Sequence, residues 1–292
     1  MFLDLRNDAV FLGFIKPKQM KPFCFADGEI IDSSLAKIHP MDLGLIRGYG
    51  IFDFFRSVNY KPLFLDSYLD RFIGSAEKTF LPLPYSRAEL KQIIQELTEK
   101  NDMEQGGFRM LLSGGLSENH FSPADGKLFI FPETLLFPSE EKYNQGIKLL
   151  GLDYVRPLAD IKTTNYALSV WDSLRWKKEG AEDVLYHKNG IVSESSRSNF
   201  FIVKNGTVIT PDKDILLGIT RKHVLQLIDK VEIRQVTLEE SLSADEAFIT
   251  STTKILLPVT QIDDHQIGNG KPGPVSMDIL NKFKILEREN SL

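Results

Sequence analysis

Val192-Ser193-Glu194-Ser195-Ser196-Arg197-Ser198-Asn199-Phe200 sets a single carboxylate among hydroxyls, between two runs of strand-forming residues. The flanks read as strands because Asn189-Gly190 and Asn205-Gly206 each tolerate positive φ at both central positions, so each joins its neighbours as a hairpin. Working outward, the sequence predicts a strand over 147–152 and a helix over about 165–179 closed by Gly180. Downstream it predicts a helix from Thr220, strands at 246–250 and near 258–262, and a helix after Pro274.

The polar run at 138–146 interrupts the apolar segments without any period and is the expected interdomain linker, over 139–146. Before it, Asp27-Gly28 marks another hairpin, and Gly50-Ile51-Phe52-Asp53-Phe54-Phe55-Arg56 reads as a strand. Leu65, Leu69, Phe72, Ile73 and Ala76 recur at helical spacing, with Asp66 as the expected N-cap. Ser86 and Glu89 form a capping box ahead of Leu90, Ile93, Ile94 and Leu97. Strands near 107–113 and 127–137 complete an α/β unit of roughly 110 residues. The expected division is an N-terminal extension of unassigned role over 1–22, a small α/β domain over 23–138, the linker, and a second domain over 147–292. The chain shows no internal repeat and no low-complexity tract.

Composition removes several function classes. The 292 residues are 42% hydrophobic and 26% charged, which is enough apolar material for a packed core and far from the composition of disorder. Lys plus Arg (35) against Asp plus Glu (40) gives −5 with no basic block, so a nucleic-acid partner is not expected. The longest apolar stretch near the start, residues 9–15, is far short of the roughly 20 residues a membrane span needs, and Asp4 and Asp8 argue against a secretory signal. One cysteine, Cys24, excludes an intrachain disulfide and suits a reducing cytoplasm.

Common site types also fall away. The five histidines show no metal-ligand spacing, so no metal site is expected. Gly268-Asn269-Gly270-Lys271 is followed by Pro272 where a phosphate loop needs Ser or Thr, and it reads as a turn. Gly48-Tyr49-Gly50 precedes a strand instead of following one, which is the wrong topology for a dinucleotide fingerprint. Ser195-Ser196 lacks the glycine-flanked elbow of a hydrolase nucleophile.

What remains is a group of single residues, each with an ordinary structural explanation. Thr220 as a helix cap, with the N–H groups of Gly218 and Ile219, would form an anion cup, although such caps usually serve structure alone. Thr250-Ser251-Thr252-Thr253 ends a strand, where N–H and hydroxyl groups could face the same anion from the other side. Lys162, in Asp160-Ile161-Lys162-Thr163-Thr164-Asn165-Tyr166, would be an exposed loop lysine in the ordinary case; desolvated beside a phosphate-bearing aldehyde, it would form a Schiff base. Glu194 is either a solvated carboxylate or one held against a pyridine nitrogen, which would keep that ring an electron sink.

With these residues in view, the sequence resembles the class IV, fold-type IV, pyridoxal-phosphate aminotransferases, a group spanning D-amino acid and branched-chain aminotransferases and aminodeoxychorismate lyase. The resemblance covers roughly residues 25–290. It rests on Gly50-Ile51-Phe52-Asp53, Arg71-Phe72 with Ser75-Ala76, Lys162 with Asn165, and Val192-Ser193-Glu194 with Ser198-Asn199-Phe200-Phe201. It continues through Leu217-Gly218-Ile219-Thr220-Arg221, Ser251-Thr252-Thr253 with Pro258-Val259, and Gly270-Lys271-Pro272-Gly273-Pro274. It implies a two-domain α/β (α+β type) fold with pyridoxal 5′-phosphate between a small N-terminal and a larger C-terminal domain, and a homodimer completing the site. It also implies Lys162 as the Schiff-base lysine and proton shuttle, and Glu194 as partner of the pyridine nitrogen. Arg71, Gly218, Ile219, Thr220, Ser251 and Thr252 would lie at the phosphate, and Tyr166 at the cofactor's phenolic oxygen.

For the substrate, the resemblance implies an altered D-amino acid clamp. The tyrosine and the Arg-x-His loop of the usual D-amino acid enzymes align with Phe52 and with Glu118-Asn119-His120. Arg47 and Arg109 are the expected replacements, since two guanidinium groups make a bidentate carboxylate fork, and Thr253, at the turn beside the phosphate, is also expected at the substrate. Arg197, where a small residue is common, and Ser195, where glycine is frequent, are further departures. The expected activity is transamination between a D-amino acid and a 2-oxo acid. The alternatives are a branched-chain L-amino acid aminotransferase, a 4-amino-4-deoxychorismate lyase releasing pyruvate, and a non-catalytic binding protein on the same fold. Asp53-Phe54, in place of a Glu-Gly pair, speaks against the branched-chain reading.

Overall fold

Alternating burial along the strands gathers the chain into two sheets, seen in a computed structural model that describes residues 20–292. The apolar stretch 9–15 and nearly all of the expected extension over 1–22 lie outside the described residues. The first sheet holds Phe23–Ala26 (β1), Glu29–Asp32 (β2), Ile51–Val58 (β3), Lys61–Pro62 (β4), Gln105–Leu112 (β5) and Leu128–Glu133 (β6), in the order β2-β1-β6-β5-β3-β4. Its spine is the antiparallel pair β3–β5, in register from Ile51 opposite Leu112 to Val58 opposite Gln105.

Three helices belong to this part: Leu43–Ile46 (α1), Leu65–Lys78 (α2) and Arg87–Lys100 (α3). The buried stripe of α2 is Tyr68, Leu69, Phe72 and Ala76, that of α3 is Leu90, Ile94 and Leu97, and both close over Ile51, Phe55, Phe108 and Met110. The Ser86–Glu89 capping box is present at the start of α3. Asp66, however, does not cap α2. The cap position is Phe64, held at a left-handed φ of 55° without a side-chain hydrogen bond, while Asp66 lies inside the first turn and pairs with Lys91 at 2.6 Å.

The second sheet is larger. It contains Ile147–Asp153 (β7), Asp183–Lys188 (β8), Ile191–Ser195 (β9), Asn199–Lys204 (β10), Thr207–Thr210 (β11), Val231–Ile233 (β12), Val236–Thr237 (β13), Glu246–Ser251 (β14), Ile255–Ile262 (β15) and His265–Gln266 (β16). Its order is β12-β11-β10-β14-β15-β7-β8-β9-β13, and Glu194 opposite Asn199 also joins β9 to β10, so six of these strands close into a ring. Period-two alternation shows in its packing: Phe200 and Ile202 join Leu149, Leu185 and Leu257 on one face. Phe201 and Val203 stack with Phe248 on the other, against Ile219–Gln226 (α6) and Pro274–Asn290 (α8), whose start carries Pro274 at its first turn. Ala167–Lys178 (α5) covers β7 and β8 through Trp176. The short Leu238–Leu242 (α7) follows β13.

Two further expectations change. The segment 139–146 carries a helix, Glu140–Gln145 (α4), ended by Gly146 at φ 78°. Glu140 and Glu141 favour its N-terminus, and because none of its residues is buried it has no apolar period to read in the sequence. The strand expected over 127–137 is shorter, stopping at Glu133 opposite Gly107 near the start of β5. Among the described residues no helix is long and apolar enough to cross a membrane.

Because α2 is held by its buried stripe and not by a cap, Phe72→Ala should cost about 3–5 kcal/mol. Loss of the capping box in Ser86→Ala should cost about 1 kcal/mol. Urea midpoints compared at equal m-values check both.

Candidate active site

The segment carrying Lys162 docks on the start of β3. Phe52 N–H donates to Lys162 O at 2.9 Å, Thr164 N–H donates to Gly50 O at 2.9 Å, and Thr163 bridges to Ile51. These bonds pin the lysine backbone to the first sheet while its chain continues into α5 on the second. Its amine lies 4.6 Å from the centre of the Phe52 ring, and among the described residues no carboxylate is within ion-pair distance of it. Burial, with the cations Arg71 and Arg156 nearby, pushes its pKa down to about 7 against the opposing pull of Asp53 and Glu194.

Glu194 lies on β9 with both oxygens engaged. Oε1 accepts from Arg156 Nε at 3.0 Å, and Oε2 accepts the Leu216 N–H at 2.9 Å, with Asn199 Nδ2 at 3.5 Å. Arg156 is equally buried and donates its remaining groups to Ile161 O (2.7 Å) and Ala159 O. One guanidinium therefore fixes both the carboxylate and the loop that delivers Lys162. Burial raises the pKa of Glu194, while Arg156 and the Leu216 N–H pull it back towards the ionised form. Nothing in Tyr154-Val155-Arg156-Pro157-Leu158 advertises this role, since a single arginine in a loop is ordinarily solvated.

At the other end of the cleft Asp53, which is buried, takes Arg71 in a two-pronged pair: Nε to Oδ2 at 2.9 Å and Nη2 to Oδ1 at 2.6 Å. Arg71 Nη1 also donates to Leu217 O at 3.3 Å. That carbonyl adjoins Gly218, the N-cap of α6, which has no side-chain cap. Thr220 is therefore inside the helix and not its cap. A Cβ at position 218 would overlap Asn199 Oδ1, and Asn199 is tied to Leu216 O at 2.7 Å, so the approach of this turn requires glycine. Thr252 Oγ donates to Phe54 O at 3.3 Å and so accepts from Tyr68 at 2.9 Å, whereas the buried Thr250 Oγ1 has no hydrogen-bond partner among the described residues.

Lys162, Glu194, Arg71, Tyr166, Gly218, Ile219, Thr220, Ser251 and Thr252 line one cleft. Arg156, Asn199, Thr250 and Arg197 line it too. A phosphorylated pyridine aldehyde fits this donor set: an uncapped helix N-terminus and an unpartnered buried hydroxyl for the anion, a carboxylate for the ring nitrogen, and a neutralisable amine for the aldehyde. Phe52 and Arg109 are not among the residues lining it: Phe52 packs against Lys162 and Tyr166, and the Arg109 guanidinium lies 5.6 Å from the Phe52 ring and 5.0 Å from the Phe54 ring. Glu133 already occupies Arg109, through Nε to Oε1 at 2.5 Å. Arg47, His120 and Thr253 are not among the cleft residues. Arg47 and His120 are exposed on loops of the first sheet, and Arg47 donates to Ile46 O at 3.3 Å.

Comparison with known proteins gives the family and the fold. The profile of the family described as amino-transferase class IV matches residues 50–262. The chain is 31% identical to a D-alanine aminotransferase of Bacillus licheniformis across 87% of this chain and 93% of that one. It is 29% identical to a putative branched-chain-amino-acid aminotransferase of Methanocaldococcus jannaschii, across 89% and 94%. In fold it is similar to a solved branched-chain amino acid aminotransferase of Escherichia coli, at a TM-score of 0.86 and 24% identity over 93% and 96% of the two chains.

Lys162 reacts as a free amine, so its lowered pKa has a sign that can be tested. Modification of this lysine in the cofactor-free protein should be near its maximum above pH 8 and fall tenfold per unit below about pH 7. Peptide-resolved acylation rates against pH check this; an inflection near 10 would contradict it.

Proposed function

We propose that this chain, which belongs to the class IV aminotransferases and is therefore a pyridoxal 5′-phosphate-dependent transaminase, moves an amino group between a D-amino acid and a 2-oxo acid. The observation that carries the reading is the amine of Lys162 and the carboxylate of Glu194 on one cleft, with the uncapped start of α6 beside them. The D-amino acid preference is supported by the relative of that activity at 31% identity. In this reading residues 23–138 and 147–292 act as small and large domains with the cleft between them.

When bound, pyridoxal 5′-phosphate supplies an aldehyde and an electron-withdrawing ring. The protein supplies the rest. Lys162 Nζ, with its pKa lowered to about 7 so that a large fraction is unprotonated at neutral pH, takes the proton from the amino acid's Cα and returns it to the product side. Glu194 stays an acceptor because Arg156 offsets the cost of its burial, and its carboxylate lines the cleft where a ring N–H would meet it. Asp53 neutralises and orients Arg71 so that the α6 N–H groups, Thr250 and Arg71 meet an anion together. Tyr166, packed edge-on to Phe52 at 5.7 Å, offers its hydroxyl to the phenolic oxygen.

The substrate carboxylate meets Arg109, which flanks the same Phe52 ring as Lys162 and which a bound carboxylate shares with Glu133. Arg47, the other expected guanidinium, is exposed and is not among the residues lining this chain's cleft. Support for a homodimer comes from α5, the helix that follows Lys162, where Val170, Trp171 and Leu174 are 69%, 75% and 62% exposed. Large apolar side chains clustered on an exposed helix mark an association surface. Leu45 of α1, two residues before Arg47, is likewise 63% exposed.

Half-reactions of the holoenzyme with single amino donors test the reading. D-amino acids should convert the visible spectrum to that of the aminated cofactor, Lys162→Ala should lower the rate by about 10²–10⁴, and Arg109→Ala should raise the apparent KM about 10–100-fold. Response to L-branched-chain donors alone would reject the stereochemical assignment, and an unchanged KM in Arg109→Ala would reject the clamp.

A further inference from the structure

A second buried lysine stands behind the cleft and takes no part in the chemistry described above. Lys254 ends the turn between β14 and β15, its side chain 8% exposed, and its Nζ lies 3.1 Å from Ser198 Oγ and 3.4 Å from Asp183 Oδ2. Asp183, the first residue of β8, is fully buried. Its Oδ1 accepts from Ser196 Oγ at 2.5 Å and from the Val184 N–H at 2.9 Å. Arg197 Nη2 stands at 3.9 Å from Oδ2. The backbone of Lys254 is also fixed: its N–H donates to Ser251 Oγ at 3.3 Å and its carbonyl accepts from Tyr143 at 2.9 Å.

These contacts join two turns that both line the cleft. Residues 196–198 link β9 to β10 directly after Glu194, and residues 252–254 follow Thr250 and Ser251. Strand pairing between Asn199 and Thr250 holds the bases of the turns together but leaves their tips free. The tips are tied by one amine that reaches a hydroxyl of the first turn and the carboxylate beneath it. Burial, helped by the Arg197 cation, lowers the pKa of this amine, and Asp183 opposes that. Apolar residues of similar volume commonly match or exceed a buried ion pair in stability, so stability gives little reason to place one here.

We propose that Lys254 is a positioning residue, a brace that sets the separation of the 196–198 and 252–254 turns and so the fit of the cofactor between them. The proposal rests on the cleft being the pyridoxal 5′-phosphate site. A charge pair retained only for stability and a brace differ in what happens when both charges are removed. Without the unpaired charge left by a single substitution, the fold recovers, but the tie between the turns does not.

The test uses cofactor-free protein, its melting temperature, and the Kd for pyridoxal 5′-phosphate from equilibrium titration of tryptophan fluorescence. The double variant Lys254→Met/Asp183→Asn should melt close to the parent and bind the cofactor about tenfold more weakly or worse, the scale of one lost charge-assisted hydrogen bond. Lys254→Arg keeps the charge pair and lengthens the arm, so it should remain folded and also bind at least about tenfold more weakly. If the double variant does not fold, Lys254→Arg decides. Parental affinity in either folded variant would overturn the brace. Failure of the parent protein itself to bind pyridoxal 5′-phosphate would instead reject the cleft assignment.

Discussion

Arg156 is the interaction on which the site depends. Its guanidinium closes on Glu194 and on two carbonyls of the loop before Lys162, so acid and amine are positioned by one buried group. Charge pairing in the cleft follows from it. Arg156 answers Glu194 and Arg71 answers Asp53, which among the described residues leaves the Lys162 amine without a counter-ion of its own in a desolvated place. An unpaired buried ammonium is costly, and the protein relieves the cost by letting it lose its proton near neutrality. That neutral amine is what condensation with an aldehyde and abstraction of a Cα proton both require.

The fold supplies this arrangement by letting each half carry one side of it. The first sheet contributes β3, whose start binds the Lys162 backbone and whose Asp53 holds Arg71 of α2. The closed ring of the second sheet contributes Glu194 and, through the turns after β9 and β14 and the start of α6, a wall rich in N–H and hydroxyl groups. Contacts between the halves are side-chain contacts as well: Ile161 and Ile219 join the core of the first sheet, and Phe64 stacks on His223 of α6 with ring centres 4.0 Å apart. Anything that shifts α6 against β3 therefore changes the distance between the amine and the anion cup.

Much of this was readable from the sequence because the signals are local. Hairpin turns at Asn189-Gly190 and Asn205-Gly206, the Ser86–Glu89 box and the helical stripes of α2 and α3 each depend on neighbours a few residues away. Several of the residues quoted for the family resemblance, Lys162, Glu194, Arg71, Gly218, Thr220 and Thr252, line the cleft together. What was hidden is long-range. Arg156, Asp53 as the anchor of Arg71, and the Lys254–Asp183 pair acquire meaning only when strands far apart in the chain are brought side by side. Thr220 and Asp66 looked like caps by residue type, but the caps fell to Gly218 and Phe64, where close approach and a left-handed turn governed instead. Arg47 and His120, expected at the substrate, are not among the residues lining the cleft and stand exposed on the first sheet's side.

The most direct measurement is chemical. Reduction of the holoenzyme with borohydride, followed by peptide mapping by mass spectrometry, reports which amine holds the cofactor. One phosphopyridoxyl group per chain is expected, on Lys162, with Lys254 unmodified. A label on any other lysine, or none after reduction, would contradict it.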